Sequence, residues 1–286
     1  MGNELCQCEH GLSLYVEMKN HTFLADTGAS RLFADNAIKL NADLTKVELA
    51  FLSHGHYDHG GGILDFYKIN PNAKIIMQKS ALGDYWHKSE NVEKYIGLDS
   101  KIRELDNLIL LDGDYDFYEK NSSSDLNETG NNGCYQKESI EIFTLSHKKQ
   151  EELKCWPKGN LVLKERKGNQ YIQDSFLHEQ YLVLEENGKT VLISGCAHNG
   201  ILNIVEEYNK KYHSYPDVII SGFHMRKKNG YTEQDFEVIK KTAEELKKLG
   251  IVCYTGHCTG EEPYNLMKEI MGEQLNYLHC GERIEI

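Results

Sequence analysis

The sequence predicts an α/β fold in which two βα half-units face one another, and three observations carry that expectation. Short apolar runs alternating at period two are interleaved with segments whose apolar residues recur at helical spacing. The two ends of the chain echo one another. His10, a hairpin, a strand and Asp26-Thr27-Gly28 match His178, a hairpin, a strand and Ser194-Gly195-Cys196. Each is followed by strand, histidine and helix, at Phe51 to His54 and at Ile219 to His224, as in an internal duplication. At 286 residues, 40% hydrophobic and 27% charged, the chain has enough apolar material for a substantial core.

The elements follow in order. Leu12 to Met18 alternates as a strand, Lys19-Asn20 turns, and Thr22 to Ala25 forms the second strand, stopping at Asp26-Thr27-Gly28. Val47 to Leu52 is a third strand running into a histidine-rich segment. Gly60 to Tyr67 reads as a helix ending before Pro71, and Lys74 to Met77 as another strand. From about 82 to 174 the pattern is irregular. Segments 121–125 and 129–133 are rich in turn formers, with strands expected at Leu108 to Leu111 and Ile140 to Thr144. This stretch lacks the apolar residues for a core of its own, so residues 1–286 are read as one domain with an elaboration over one face.

Regularity returns with the hairpin Tyr181 to Leu184, Asn187-Gly188, Thr190 to Ile193, whose turn suits type I′. Ile201, Ile204, Val205 and Tyr208 mark an amphipathic helix, and Val218 to Ile220 a buried strand. Phe236, Ile239, Ala243, Leu246 and Leu249 mark a second helix. It has acids near its start, lysines near its end and Gly250 just past it. Ile251 to Tyr254 is a strand, and Pro263 and Gly272 bracket a last helix.

Bulk properties exclude several functions. The formal charge is −12, which argues against a nucleic-acid surface. No apolar run approaches the roughly 20 residues of a membrane span. The first residues lack the layout of a signal peptide or a myristoylation site. Eight scattered cysteines without a Cys-x-x-Cys pair point to reduced thiols in a cytoplasm, and Cys6 and Cys8 are given no role.

His54-Gly55-His56-Tyr57-Asp58-His59 carries the chemistry. Imidazole and carboxylate suit zinc, iron and manganese. At an extended strand end His54 and His56 point the same way and reach one ion, while Asp58 and His59 diverge toward a second. Gly60, Gly61 and Gly62 allow a tight turn into the helix.

This His-x-His-x-Asp-His run after a strand resembles the signature of the metallo-β-lactamase superfamily, and the resemblance extends over nearly the whole chain. It implies a four-layer αββα sandwich with metals at one sheet edge. It also implies that Asp26 orients the ligand loop, that His178 and Cys196 match the third- and fourth-motif positions, and that His257 matches the fifth-motif histidine. Glu9-His10-Gly11-Leu12-Ser13, Ser194 to Ile201, Gly222-Phe223-His224 and His257-Cys258-Thr259-Gly260 are similar to one branch. That branch holds the methanopterin-pathway synthase joining a dihydropterin to ribofuranosylaminobenzene phosphate, and relatives called metal-dependent hydrolases. Many superfamily hydrolases carry a bridging aspartate where this chain has Cys196.

The resulting expectation is two divalent ions, zinc with iron or manganese as alternatives. His54, His56 and His178 hold the first. Asp58, His59 and His257 hold the second, completed by Cys196 or His198. Asp58 and His198 are the candidate catalytic groups, and His10 and His224 the substrate or outer contacts. Arg226-Lys227-Lys228 either holds an anionic group of the substrate or is a solvated cluster. Tyr57 either gates or covers the pocket, and Cys258 stands beside His257 as a bystander. The expected function is hydrolysis of an ester, lactone or phosphoester-type small molecule in the cytoplasm. The alternatives are a transferase condensing a pterin diphosphate with an aryl phosphate acceptor, and a diiron redox protein.

Overall fold

Alternation along the strands decides which layer each side chain joins. In the strand Thr22–Ala25, Phe23 and Ala25 enter a cluster with Leu49, Phe51, Ile76, Leu182, Leu184 and Ile193. Leu24, between them, points the other way and packs with Ala50, Leu52, Ile75 and Met77 against Phe33 and Phe66. Successive strand side chains face opposite sides of a sheet, so these assignments follow from the period of two. The first cluster draws on two different sheets, which therefore pack face to face. The second lies under the helices Leu32–Lys39 and Ile63–Ile69. A third cluster joins Leu192, Ile219 and Cys253 to Ile204, Ile239, Ala243, Leu246 and Met267 of the helices Ile201–Tyr212, Glu233–Lys248 and Glu261–Met271. The layers are thus helix, sheet, sheet, helix, as expected. The computed structural model describes residues 3–117, 138–145, 150–228 and 230–286; the loops expected at 121–125 and 129–133 lie outside them.

The two sheets repeat one plan. The first runs Leu14–Glu17, Thr22–Ala25, Leu49–Phe51, Lys74–Gln78, Leu108–Leu111, an antiparallel hairpin followed by parallel strands. The second contains the hairpin Gln180–Glu186 and Lys189–Ile193, continued in parallel by Val218–Ile220, Val252–Thr255 and Leu275–Tyr277. Ser139–Thr144 and Tyr115–Asp116 extend its other edge in antiparallel fashion. Buried Gln180 ties the sheets together at one end. Its backbone N–H donates to Ser53 O at 2.8 Å, and its side-chain amide donates to Leu52 O at 2.8 Å. Loops following the carboxyl ends of Thr22–Ala25, Leu49–Phe51, Lys189–Ile193, Val218–Ile220 and Val252–Thr255 converge there.

Helix ends follow their local chemistry. Thr232 and Asp235 form a reciprocal capping box at the start of Glu233–Lys248, and Gly250, at φ +73°, follows its end. Four expectations are corrected. The helix read over 60–67 is split into Tyr57–Gly60 and Ile63–Ile69. The break lies where Gly61 and Gly62 press against the 27–29 loop; a Cβ at Gly62 would strike the Thr27 carbonyl and the Phe33 ring. The short helix Leu32–Lys39, eight residues long, is an element the sequence reading lacks. Part of the region read as irregular forms an antiparallel four-stranded sheet of Gln170–Gln173, Leu163–Lys167, Tyr85–Lys88 and Glu93–Tyr95. Its charged, aromatic strands come from distant parts of the chain, which hides their alternation. The last helix begins at Glu261, two residues before Pro263.

Candidate metal centre

His54 and His56 lie between the strand Leu49–Phe51 and the helix Tyr57–Gly60, and His56 keeps extended backbone at φ −101°, ψ 147°. Extended residues two apart share a face. The third imidazole on that face is His198, from the loop after Lys189–Ile193; ligand atoms of the three lie within 4.8 Å of one another. The Nε2 atoms of His54, His56 and His198 are all buried without a hydrogen-bond partner. Burial lowers the pKa of each ring, so each stays neutral and keeps a lone pair.

The expectation grouped His178 with His54 and His56; in the structure His178 groups with His56 and Asp174 and does not join the trio of His54, His56 and His198. His178 Nδ1 accepts from Gly55 N–H at 3.0 Å, so its proton is on Nε2, which faces Asp174 Oδ2 at 3.1 Å. Its ring has no lone pair left. His178, His56 and Asp174 do approach within 4.8 Å. Burial would raise the Asp174 carboxyl, but His178 and His56 hold it well below the usual range, as a buried anion bonded to His178 and 3.8 Å from His56 Nε2. His198, not His178, shares a donor group with both His54 and His56. Asn160 sets its tautomer: Asn160 Oδ1 lies 2.7 Å from His198 Nδ1, and Asn160 Nδ2 donates to His198 O at 2.7 Å. A carbonyl oxygen only accepts, so Nδ1 carries the proton and Nε2 the lone pair. Glu179 accepts from the His198 backbone N–H at 2.6 Å, and Phe176 stacks on the ring at 4.6 Å.

Beside this trio is a four-donor group of Asp58, His59, Cys196 and His257, again within 4.8 Å of one another. His59 Nε2 is 3.2 Å from Cys196 Sγ and 3.1 Å from His257 Nε2. Asp26 stands behind it and out of the group. Its Oδ2 meets His59 Nδ1 at 2.6 Å and accepts from Ser53 Oγ at 2.7 Å, and Ser53 Oγ in turn is 2.9 Å from His54 Nδ1. One carboxylate thus orients a histidine in each group, the arrangement common behind metal-bound imidazoles. Burial would lower His59, yet the neighbouring carboxylates of Asp26 and Asp58 raise it to about 9. Burial would raise Asp58, but His59 and His257 hold its carboxyl well below the usual range. Burial pushes the Cys196 thiol up in the absence of a cation.

These residues fit divalent cations. Leaving three buried acceptors unpaired costs about 1–3 kcal/mol each, or about 3–9 kcal/mol together, which a shared cation at the three Nε2 atoms would offset. Imidazole, carboxylate and thiolate are suitable donors. The loops are held in unusual conformations to bring them there: Asp26, Ala197, His224 and His257 all have φ between 46° and 60°.

The remaining expected residues lie around this pair. His10 is half-exposed at the rim, with Nε2 3.5 Å from Asp58 Oδ2 and its ring stacked 4.5 Å from that of His257. His224 lies 4.2 Å from the His198 ring, with Nδ1 buried and unpartnered. Cys258 accepts from His224 N–H at 3.3 Å. Lys227 is paired with Asp235 at 2.6 Å, which removes it from the basic cluster considered for the substrate. Tyr57 carries Lys94, from the small four-stranded sheet, 4.3 Å over its ring. Reading by motif missed Asp174, Asn160 and Glu179. Asp174 alone left a trace, a carboxylate four residues before His178.

Comparisons with known proteins bear on the fold and the motif-bearing segment. The family model described as the metallo-β-lactamase superfamily matches residues 7–130. The 7,8-dihydropterin-6-methyl-4-(β-D-ribofuranosyl)-aminobenzene-5′-phosphate synthase of Methanocaldococcus jannaschii is 27% identical, over 97% of this chain and 90% of its own. An uncharacterised protein of the same organism is 26% identical over 97% of this chain and 94% of its own. A solved structure described as a metal-dependent hydrolase of the β-lactamase superfamily superposes with a TM-score of 0.74 at 24% identity, covering 100% of this chain and 95% of that one. Residues 7–130 thus match the metallo-β-lactamase superfamily model, and the layered fold of the whole chain is the one seen in the solved metal-dependent hydrolase.

Proposed function

We propose that this protein is a metal-dependent hydrolase acting on an ester, lactone or phosphoester-type small molecule, with two divalent ions held in adjoining sites. The superfamily binds divalent metals, and two groups of donors here can hold them. The observation that carries the reading is the trio of orphaned Nε2 atoms on His54, His56 and His198, set against the four donors Asp58, His59, Cys196 and His257. In this assignment His198 replaces His178 on the first ion, Cys196 completes the second, and zinc suits the mixed nitrogen, oxygen and sulfur donors.

Bound divalent ions would lower the pKa of water to about 7 and polarise a carbonyl or phosphoryl oxygen. The chain's own residues do the rest. Asp58, kept ionised by His59 and His257, accepts hydrogen bonds from an attacking water through the carboxylate edge its ligand role leaves free. Asp26, Asn160 and Asp174 fix the imidazoles so that little reorganisation is needed when substrate arrives. His10 Nε2, at the rim beside Asp58, can pass a proton to a departing group, and His224 lies where substrate would contact it. The reading includes a single domain over 1–286 and action in the cytoplasm. The net charge of −12 favours a small molecule over nucleic acid. Among the described residues no helix is long and apolar enough to cross a membrane.

The test is elemental analysis of anaerobically purified protein together with a screen of lactones, esters and phosphoesters. His56→Ala and Asp58→Ala should lose metal and activity together; activity retained in metal-free variants would contradict the proposal. A second reading, condensation of a pterin diphosphate with an aryl phosphate, is favoured by the 27% identity to the synthase across nearly the whole chain. Product carrying both halves in a two-substrate assay would establish it in place of hydrolysis. Visible absorption of the anaerobic protein would reveal a diiron centre instead.

A further inference from the structure

Three cysteines meet outside the metal groups, where the first described residues cross the last turn of the chain. Asn3 N–H donates to Cys280 O at 3.0 Å, and the Cys280 thiol donates to Gln7 O at 3.3 Å, on the peptide that links Gln7 to Cys8. Asn36 locks the same spot, accepting from Gln7 N–H at 3.1 Å and donating to Gln7 O at 2.8 Å. The turn closes with Gly281 at φ +71°, where any Cβ would strike Cys6 Sγ. Cys8 is exposed, while Cys6 and Cys280 are half-buried, so a small thiol reagent can enter. All three are free thiols.

We propose that Cys8 and Cys280 are a redox site, forming a reversible disulfide that ties the lead-in of the first strand to the C-terminal turn. The oxidant is a low-molecular-weight disulfide such as oxidised glutathione. The exposed Cys8 thiolate attacks one sulfur of the oxidant, giving a mixed disulfide and releasing one thiolate. The Cys280 thiolate then attacks the Cys8 sulfur, forming the Cys8–Cys280 bond and releasing the second thiolate. The two protein thiols lose two protons and two electrons, and the oxidant is reduced to two thiols.

The order of attack follows from the surroundings. Burial, then the hydrogen bond and charge of Cys8, push the Cys280 thiol up to about 12, so Cys280 is the poorer first nucleophile. Cys6 Sγ lies beside Gly281, whereas the Cys280 thiol is directed at the peptide that leads into Cys8. The tie falls immediately before Glu9 and His10. Glu9 accepts from Ala29 N–H and Ser30 N–H at 3.1 Å each, and His10 lies at the rim of the metal groups. The disulfide therefore secures the segment that carries a rim histidine. The proposal stands independently of any metal.

The experiment is to treat the full chain with oxidised glutathione, block remaining thiols with N-ethylmaleimide, digest, and map linked peptides by mass spectrometry. The expected product is an intramolecular link between the N- and C-terminal peptides, reversed by dithiothreitol. It should persist in Cys6→Ser and vanish in Cys8→Ser and Cys280→Ser. The oxidised wild type should also unfold several degrees higher than its reduced form, because a long loop is closed in the unfolded chain; Cys280→Ser should show no such shift. A link that survives in Cys8→Ser would overturn the proposal. So would only intermolecular or glutathione-mixed disulfides, or complete alkylation of both cysteines after oxidation.

Discussion

Asn160 should control metal affinity without touching the metal. It is fully buried, and its side chain both receives the His198 Nδ1 proton and donates to His198 O, each at 2.7 Å. Asn160→Ala removes both bonds and leaves His198 Nδ1 unsatisfied in the interior. That costs about 1–3 kcal/mol for the stranded group and about 1 kcal/mol for the other bond, a loss of about 2–4 kcal/mol in folding stability. It also frees the ring to exchange tautomers, which takes the lone pair away from Nε2. Removing such an outer partner typically lowers metal affinity by about 10–100-fold. Competition with a chromogenic chelator measures that affinity, and denaturant unfolding measures the stability. Asn160→Asp keeps the acceptor for Nδ1 but loses the donor to His198 O, so it should lie between Ala and wild type in affinity. If Asn160→Ala loses stability yet binds the first ion as tightly as wild type, His198 is not a ligand held by Asn160 and the reasoning fails.

Three further outcomes are expected. His198→Ala should lose one ion per chain by elemental analysis, whereas His178→Gln should keep the ion count and lose stability, because His178 spends both nitrogens on Gly55 and Asp174. Gly62→Ala should destabilise the fold by about 1–3 kcal/mol in denaturant unfolding, since its Cβ strikes a backbone carbonyl that cannot swing away; an unchanged midpoint would remove the close-approach explanation. Asp235, against which burial works, is held at about 2 by Lys227 and Thr232. A depressed carboxyl stabilises the fold above its unfolded pKa of about 4, and that contribution of about 2 kcal/mol disappears as pH falls toward 2. The stability gap between wild type and Asp235→Asn should be level above pH 5 and shrink as pH falls from about 4.

The sheets, the hairpins and the major helices were legible because one face of each is buried, so period two and period 3.6 survive in the sequence. The ligand segment from His54 to His59 was legible for another reason: four donors within six residues at a strand end have no packing use. What escaped has its cause in distance along the chain. Asn160 and Asp174 come from the region read as irregular, and their roles exist only once that region folds over His198 and His56. His178 and His198 are both histidines at plausible places. Only the hydrogen bonds at Gly55 and Asn160 decide which ring keeps a lone pair for a cation. The helix Leu32–Lys39 has apolar residues at five of its eight positions, but it is little more than two turns long, too short for its 3.6-residue period to stand out.

Anomalous diffraction at the metal absorption edge, from crystals of protein purified with its own ions, addresses the pair of sites most directly. Two peaks per chain are expected, one bonded to Nε2 of His54, His56 and His198 at about 2.0–2.1 Å, and one among Asp58, His59, Cys196 and His257. A first peak bonded to His178 with His198 turned away, or no ordered ion at either group, would contradict it.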